Sequence, residues 1–272
     1  MAGGRPLDRR LRDLSLGELP LRRREHGGLR QSRTLARPDE RPPRCEARPR
    51  RPRPAVSAPP PPIQYAPPQA PLSALLETRW FAALDKPAGL LTVPGRAPAL
   101  ADSLESRARA RWGWARVAHR LDLGTSGVVL TALTPPALSA LQRQFAERRV
   151  RKTYVALVHG APKGEEGEVD LPLRCDWPNR PRQIVAEDGK PARTLWRVLA
   201  REGAATRVAL TPVTGRSHQL RVHMAALGHP ILGDPFYGDA ASAPRLMLHA
   251  ARLSFRDPET DAERVAGSPV PF

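Results

Sequence analysis

Three stretches of this 272-residue chain collect side chains able to do chemistry. The first, Ala118-His119-Arg120-Leu121-Asp122-Leu123-Gly124-Thr125-Ser126-Gly127, sets one carboxylate between a basic pair and a polar, glycine-containing loop. An ionised aspartate there could serve as a nucleophile, although an aspartate after a strand more commonly caps its own turn. The second is Thr214-Gly215-Arg216-Ser217-His218-Gln219-Leu220-Arg221-Val222-His223, followed closely by Gly228-His229-Pro230-Ile231-Leu232-Gly233-Asp234. His218, His223 and His229 raise the question of zinc. Their spacing lacks the one-turn helical pair of a metalloprotease, and no Cys or Glu completes a ligand set, so no metal site is expected. The third is Arg151-Lys152-Thr153-Tyr154-Val155-Ala156, a basic pair leading into a tyrosine that could face a base or simply fill a core.

The elements that must position these residues are legible from residue 74 onward. Trp80 to Leu84 is a short apolar run stopped by Asp85-Lys86-Pro87-Ala88-Gly89, which predicts a strand and then a loop. Residues 100–112 predict a helix. Pro135 to Arg149 predicts another, with proline at its start and Leu138, Leu141 and Phe145 at helical spacing. Between them, Arg116 to Leu121 and Gly127 to Leu133 predict two strands joined by the loop that holds Asp122. Lys152 to Val158, Thr194 to Leu199, Thr206 to Thr211 and Leu246 to Phe255 carry further strand-like content. The links between these strands are too short, or too rich in Gly and Pro, for regular crossover helices. The expected class is therefore α+β, a mixed and mainly antiparallel sheet with flanking helices.

Composition bounds the partners. The formal net charge is +17, which points to a polyanion, nucleic acid ahead of an acidic membrane. No apolar run is long enough to span a bilayer and no secretory pattern opens the chain, so the expected location is the cytoplasm. Cys45 and Cys175 lie far apart, so neither a disulfide framework nor a cysteine zinc site is readable. Residues 1–70 hold 16 arginines against 7 acidic residues, and 14 of the 32 prolines. Such a segment is expected to stay unfolded, because it cannot bury enough apolar surface to offset its ordering entropy. It could act as an RNA-tethering arm. The whole chain is Arg-biased, however, with only four lysines, so the segment also reads as a tolerated extension. Residues 71–272 are expected to form one domain that is basic in its own right.

Taken together, the motifs resemble the RluA branch of the pseudouridine synthases. The resemblance covers the chain from about Leu76 to Phe272 and includes Asp85 to Gly89, His119 to Gly127, Tyr154, Thr214 to His223, and the turn Gly233-Asp234-Pro235-Phe236-Tyr237. It implies the fold of that family, with a central basic cleft. Asp122 is then the catalytic residue, Tyr154 stacks on the target base, and Arg221 pairs with the carboxylate. Arg120 corresponds to the arginine that enters the RNA stack in place of the extruded uridine, with His119, Arg216 and His218 as further RNA-binding candidates. Many members place an RNA-binding S4 domain ahead of the catalytic one. The Pro/Arg-rich segment lacks the helical periodicity of such a domain, so the chain is similar to the short members.

The chemistry so implied breaks the uracil N–C1′ bond, turns the ring and rejoins it through C5, with no cofactor, metal or redox step. A neighbouring arginine keeps an aspartate charged where water is excluded. Attack on the ribose and addition to the uracil ring both use that carboxylate. Extruding a nucleotide costs a few kcal/mol, partly recovered by stacking on an aromatic ring. Val169-Asp170-Leu171-Pro172-Leu173-Arg174-Cys175-Asp176-Trp177-Pro178-Asn179-Arg180-Pro181-Arg182-Gln183 is similar to the segment found in dual-specificity members of the branch. Arg180 and Arg182 beside Trp177 form a basic and aromatic surface suited to phosphates and unstacked bases, or a proline-stiffened surface loop. The partners implied are tRNA anticodon loops and 23S rRNA, with no membrane, for an enzyme expected to act as a monomer.

Overall fold

The computed structural model describes residues 65–272. The unfolded extension expected over residues 1–70 falls outside the described residues as far as residue 64. From Tyr65 onward the chain lies against the domain. The Tyr65 hydroxyl donates to the carbonyl of Asp102 at 2.7 Å and accepts the Leu91 N–H at 3.1 Å. Arg107 reaches back to the carbonyls of Pro68 and Ala70.

In chain order the strands are β1 (Ser73–Glu77), β2 (Phe81–Lys86), β3 (Arg116–Val117), β4 (Ser126–Ala132), β5 (Arg151–His159), β6 (Glu166–Asp170), β7 (Leu173–Cys175), β8 (Gln183–Val185), β9 (Arg193–Glu202), β10 (Ala205–Pro212), β11 (Leu248–Arg256) and β12 (Glu263–Gly267). Three α-helices accompany them among the described residues, α1 (Leu104–Trp112), α2 (Pro135–Ala146) and α3 (Gln219–Ala226). Ten of the strands form one sheet in the order β1-β2-β4-β11-β5-β10-β9-β6, with β3 on β4 and β12 on β11, while β7 and β8 make a separate hairpin. Every pairing among the described residues is antiparallel except β4 with β11, where Ser126 and Gly127 face His249 and Ala250. The α+β, mainly antiparallel expectation therefore holds.

The middle of the sheet is made by sequence that suits burial on both faces. All seven residues of β4, Ser126 to Ala132, are buried, as expected for a central strand rich in β-branched side chains. Helix α2 begins with Pro135 and Pro136 behind the Thr134 cap. It sets Ala137 and Leu141 against Phe81, Val128, Leu130 and Phe255. Helix α1 starts at a reciprocal cap between Ser103 and Ser106 and buries Leu104 and Ala108 against Leu84, Val117 and Val129.

Two departures from the sequence reading bear on the site. The strand expected over Arg116 to Leu121 ends after Val117. Ala118 still donates to the Leu130 carbonyl, but the Leu130 N–H is taken by the Nε2 of His119 at 3.1 Å instead of a backbone carbonyl. A side chain thus replaces the ladder, and the backbone of residues 119–123 is released into a loop. Helix α3 lies inside the second chemical stretch, where no helix was read. Six of its eight residues are buried, so it shows no one-sided apolar stripe.

Candidate active site

Asp122 sits in the loop between β3 and β4, and the residues on either side of it are pinned. Leu121 exchanges two hydrogen bonds with the Thr92 hydroxyl, at 2.8 and 3.2 Å. The Leu123 carbonyl accepts from Gly89 N–H at 2.9 Å and from Lys86 Nζ at 3.2 Å. Lys86 is fully buried and also donates to the carbonyls of Pro87 and Leu90. Burial draws its pKa down to about 7, against the pull of the Asp122 charge. The chain can re-enter the sheet beside Asp122 only through a glycine. Gly127 has φ +111°, and a Cβ there would stand 2.2 Å from the Ala250 carbonyl oxygen.

Arg221 approaches from α3. Its Nη1 donates to Asp122 Oδ2 at 3.2 Å, while Nε and Nη2 fork onto the two oxygens of Asp234, each at 2.7 Å. The Arg221 and Asp234 side chains are 4% and 0% exposed, so this bidentate pair is buried, whereas the Asp122 side chain is 30% exposed. Asp234 Oδ1 also accepts the N–H groups of Phe236 and Tyr237. The rings of those two residues lie 5.3 and 5.2 Å from the guanidinium. Gly233, at φ +70°, starts this turn where a Cβ would collide with the Arg245 carbonyl. His218 precedes α3 with a left-handed φ of 53° and brings Nε2 to 3.9 Å from Asp122 Oδ1.

Tyr154 projects from β5, between Leu210 of β10 and Ala250 of β11. Its hydroxyl is pushed well above the ordinary phenol value by burial and then by the Asp122 charge, so it stays protonated. Asp122, Tyr154, His218 and Arg221 share the wall of a cavity of about 630 Å³, a volume typical of a small-ligand site. Among the described residues, Arg120, Arg148, Lys152, Arg216 and Arg221 supply its cationic lining and Asp122 its one carboxylate. His119 reaches the same cavity, but its Nε2 is engaged by Leu130, its ring packs on Phe145, and burial lowers its pKa to about 3.

The remaining candidates are elsewhere. Trp177, Arg180 and Arg182 belong to the segment joining β7 to β8 and are not in the cavity wall. Trp177 is 66% exposed, with the Arg180 guanidinium 4.4 Å from its ring. Arg182 donates to the Phe236 carbonyl. The histidines weighed for zinc part company: His223 bonds to Thr194 and Leu171, and His229 to the carbonyl of His159. Sequence reasoning assigned no role to Lys86, Asp234 or Tyr237. Each stood inside a recognised motif, but burial of a charge is a tertiary property with no local sign.

The family model for RNA pseudouridylate synthase matches residues 81–226, more than half of the chain and the span that runs from β2 through α3. The chain belongs to the RNA pseudouridine synthases, which are isomerases. Within them it is of the RluA type. It is 52% identical over 216 residues to the dual-specificity RNA pseudouridine synthase RluA of Pasteurella multocida, covering 77% of this chain and 99% of that protein. To the RluA of Escherichia coli K12 it is 50% identical over 214 residues, 76% of this chain and 98% of the relative. Among solved structures, human RNA pseudouridylate synthase domain containing 1 superposes with a TM-score of 0.63 at 32% identity, covering 74% of this chain and 84% of the other.

Proposed function

We propose that the chain isomerises uridine at Asp122 in two RNAs, the tRNA anticodon loop and 23S rRNA, as a monomer in the cytoplasm. One observation carries this reading: the Asp122–Arg221 ion pair opens onto a cavity whose other charged walls are cationic, with the Tyr154 ring beside it. In the reaction the N1–C1′ bond breaks and a C5–C1′ bond forms, C5 loses a proton and N1 gains one. Atoms and oxidation state balance without a co-reactant. Asp122 supplies the carboxylate, Arg221 keeps it oriented, and Tyr154 offers a ring for the extruded base to stack on. Arg120, Arg148, Lys152 and Arg216 are placed to meet phosphates of the distorted loop, and Arg120, an exposed side chain at the cavity mouth, is free to fill the vacated stack. The central basic cleft is, on this reading, the RNA site.

Dual specificity is supported by the level of identity to relatives so named, and by the Trp177, Arg180 and Arg182 surface on the hairpin. The test is incubation of the full chain with an unmodified anticodon stem-loop and with an rRNA hairpin, followed by mapping of the altered uridine. Both RNAs should be modified, and Asp122→Asn should abolish product while leaving RNA affinity nearly intact, since phosphate contacts dominate binding. Modification of one RNA alone would make the enzyme single-substrate. Turnover by Asp122→Asn at the wild-type rate would remove Asp122 from the chemistry, and binding without product by the wild type would leave only a non-catalytic RNA-binding protein.

A further inference from the structure

The two oxygens of Asp122 are not equivalent. Oδ2 accepts from Arg221, whereas Oδ1 accepts no hydrogen bond among the described residues and faces His218 Nε2 at 3.9 Å, beyond direct hydrogen-bond reach. His218 is held from its far side. Its Nδ1 lies 2.7 Å from the Tyr237 hydroxyl, and that hydroxyl oxygen also receives the Gln183 N–H of β8 at 2.8 Å. A backbone N–H can only donate, and a phenol has a single proton to give. With Gln183 already donating to the hydroxyl oxygen, the arrangement that uses every donor gives the Tyr237 proton to Nδ1, the accepting nitrogen of the ring. A neutral imidazole so bound carries its own proton on Nε2, the nitrogen turned toward Asp122. The opposite tautomer would leave the Tyr237 hydroxyl accepting twice, with its proton unused in a half-buried setting.

Other features hold the ring in that pose. It stacks on Phe236 at 5.8 Å and 17°. Its backbone takes the left-handed conformation that non-glycine residues seldom adopt and that concentrates at functional positions. Burial disfavours a second proton on His218, opposed by the charges of Asp122 and Asp234 and reinforced by Arg221.

We propose that Tyr237 is a positioning residue that fixes His218 as the Nε2–H tautomer, so that Asp122 Oδ1 is the reacting oxygen and faces a proton donor. The inference rests on Asp122 being the reacting carboxylate. It also links the hairpin to the chemistry, because the N–H that sets the Tyr237 proton belongs to Gln183 of β8. A displaced hairpin would free that proton and with it the tautomer.

The test is NMR of the full chain with nitrogen-labelled histidine, without RNA and at neutral pH, the His218 signals being assigned by their loss in His218→Gln. The expected result is a neutral ring protonated on Nε2. A ring protonated on Nδ1, or on both nitrogens, overturns the proposal, and this holds whatever the RNA assays give. In Tyr237→Phe the ring should shift toward the Nδ1–H form, and single-turnover product formation should slow by about three- to tenfold, the loss of one hydrogen bond, with stem-loop affinity unchanged. A Tyr237→Phe protein that keeps the Nε2–H form, or reacts at the wild-type rate, overturns it as well.

Discussion

The foot of the cavity and the β7–β8 hairpin are built on opposite plans. At the foot, Arg221 and Asp234 are almost wholly buried and bonded to each other through two hydrogen bonds, with a third reaching Asp122. On the hairpin, Trp177 is two-thirds exposed, and the Arg174–Asp188 ion pair stands in solvent. Groups that must meet a reacting atom within fractions of an ångström gain from a rigid, desolvated frame. Groups that meet phosphates and unstacked bases gain from being open, since their contribution comes from displaced counterions and stacking. The two regions touch through few groups: Tyr237 with Gln183, Arg182 with the Phe236 carbonyl, and Leu173 packed with Ala192 and Val222. On the proposed function, changes on the hairpin that spare the Gln183–Tyr237 contact should affect recognition and leave the chemistry alone.

The largest effect on stability should come from the foot. Asp234→Ala would strand the Arg221 guanidinium in a buried site, which typically costs about 3–5 kcal/mol. It would also release the turn that carries Phe236 and Tyr237. Urea denaturation should show that loss, along with a collapse of turnover. A cost below about 1 kcal/mol, the size of a surface pair, would mean that the frame is solvated and that the contrast drawn above is false.

The same contrast explains what the sequence disclosed. The sheet's inner strands were legible because burial on both faces imposes an apolar, β-branched composition, as in Val128 to Ala132. Asp122, Tyr154 and Arg221 were legible because three separate motifs each supplied one of them, and the fold brings them to one cavity. Helix α3 was hidden because Gln219, Arg221 and His223 are buried polar residues, which erase the periodicity that marks a helix. Strand β3 was overread because only tertiary structure reveals that His119 takes over the Leu130 N–H. Lys86, Asp234 and Tyr237 were silent for a related reason: each has a partner distant in sequence besides any local ones, as Asp234 has Arg221, Lys86 has Leu123 and Tyr237 has Gln183.

Changes on the hairpin should be smaller and of a different kind. Trp177→Ala removes a ring that is two-thirds exposed and stands beside the Arg180 guanidinium, so folding stability should not change measurably. Stem-loop affinity should fall by about 1–3 kcal/mol, the usual value of one base–aromatic stack. The rate at saturating RNA should be kept. A variant that binds normally but turns over slowly would place Trp177 with the foot and not with the rim.

His119 gives the finest test of where the boundary between the regions runs, because it lines the cavity and yet turns Nε2 inward to Leu130. Its folded pKa is depressed from 6.5 to about 3 by burial, and then by the Lys152 charge. Between those values the unfolded chain binds a proton that the folded chain refuses, so stability should fall as pH drops from about 6.5 toward 3 and be unaffected by this group above that window. The slope it can contribute is at most about 1.4 kcal/mol per pH unit. In His119→Gln, whose amide oxygen could accept the Leu130 N–H, denaturation midpoints should drop less between pH 6.5 and 5 than in the wild type, while His223 and His249 contribute equally to both. Equal slopes would mean that the ring titrates freely, and His119 would then belong to the RNA-facing rim.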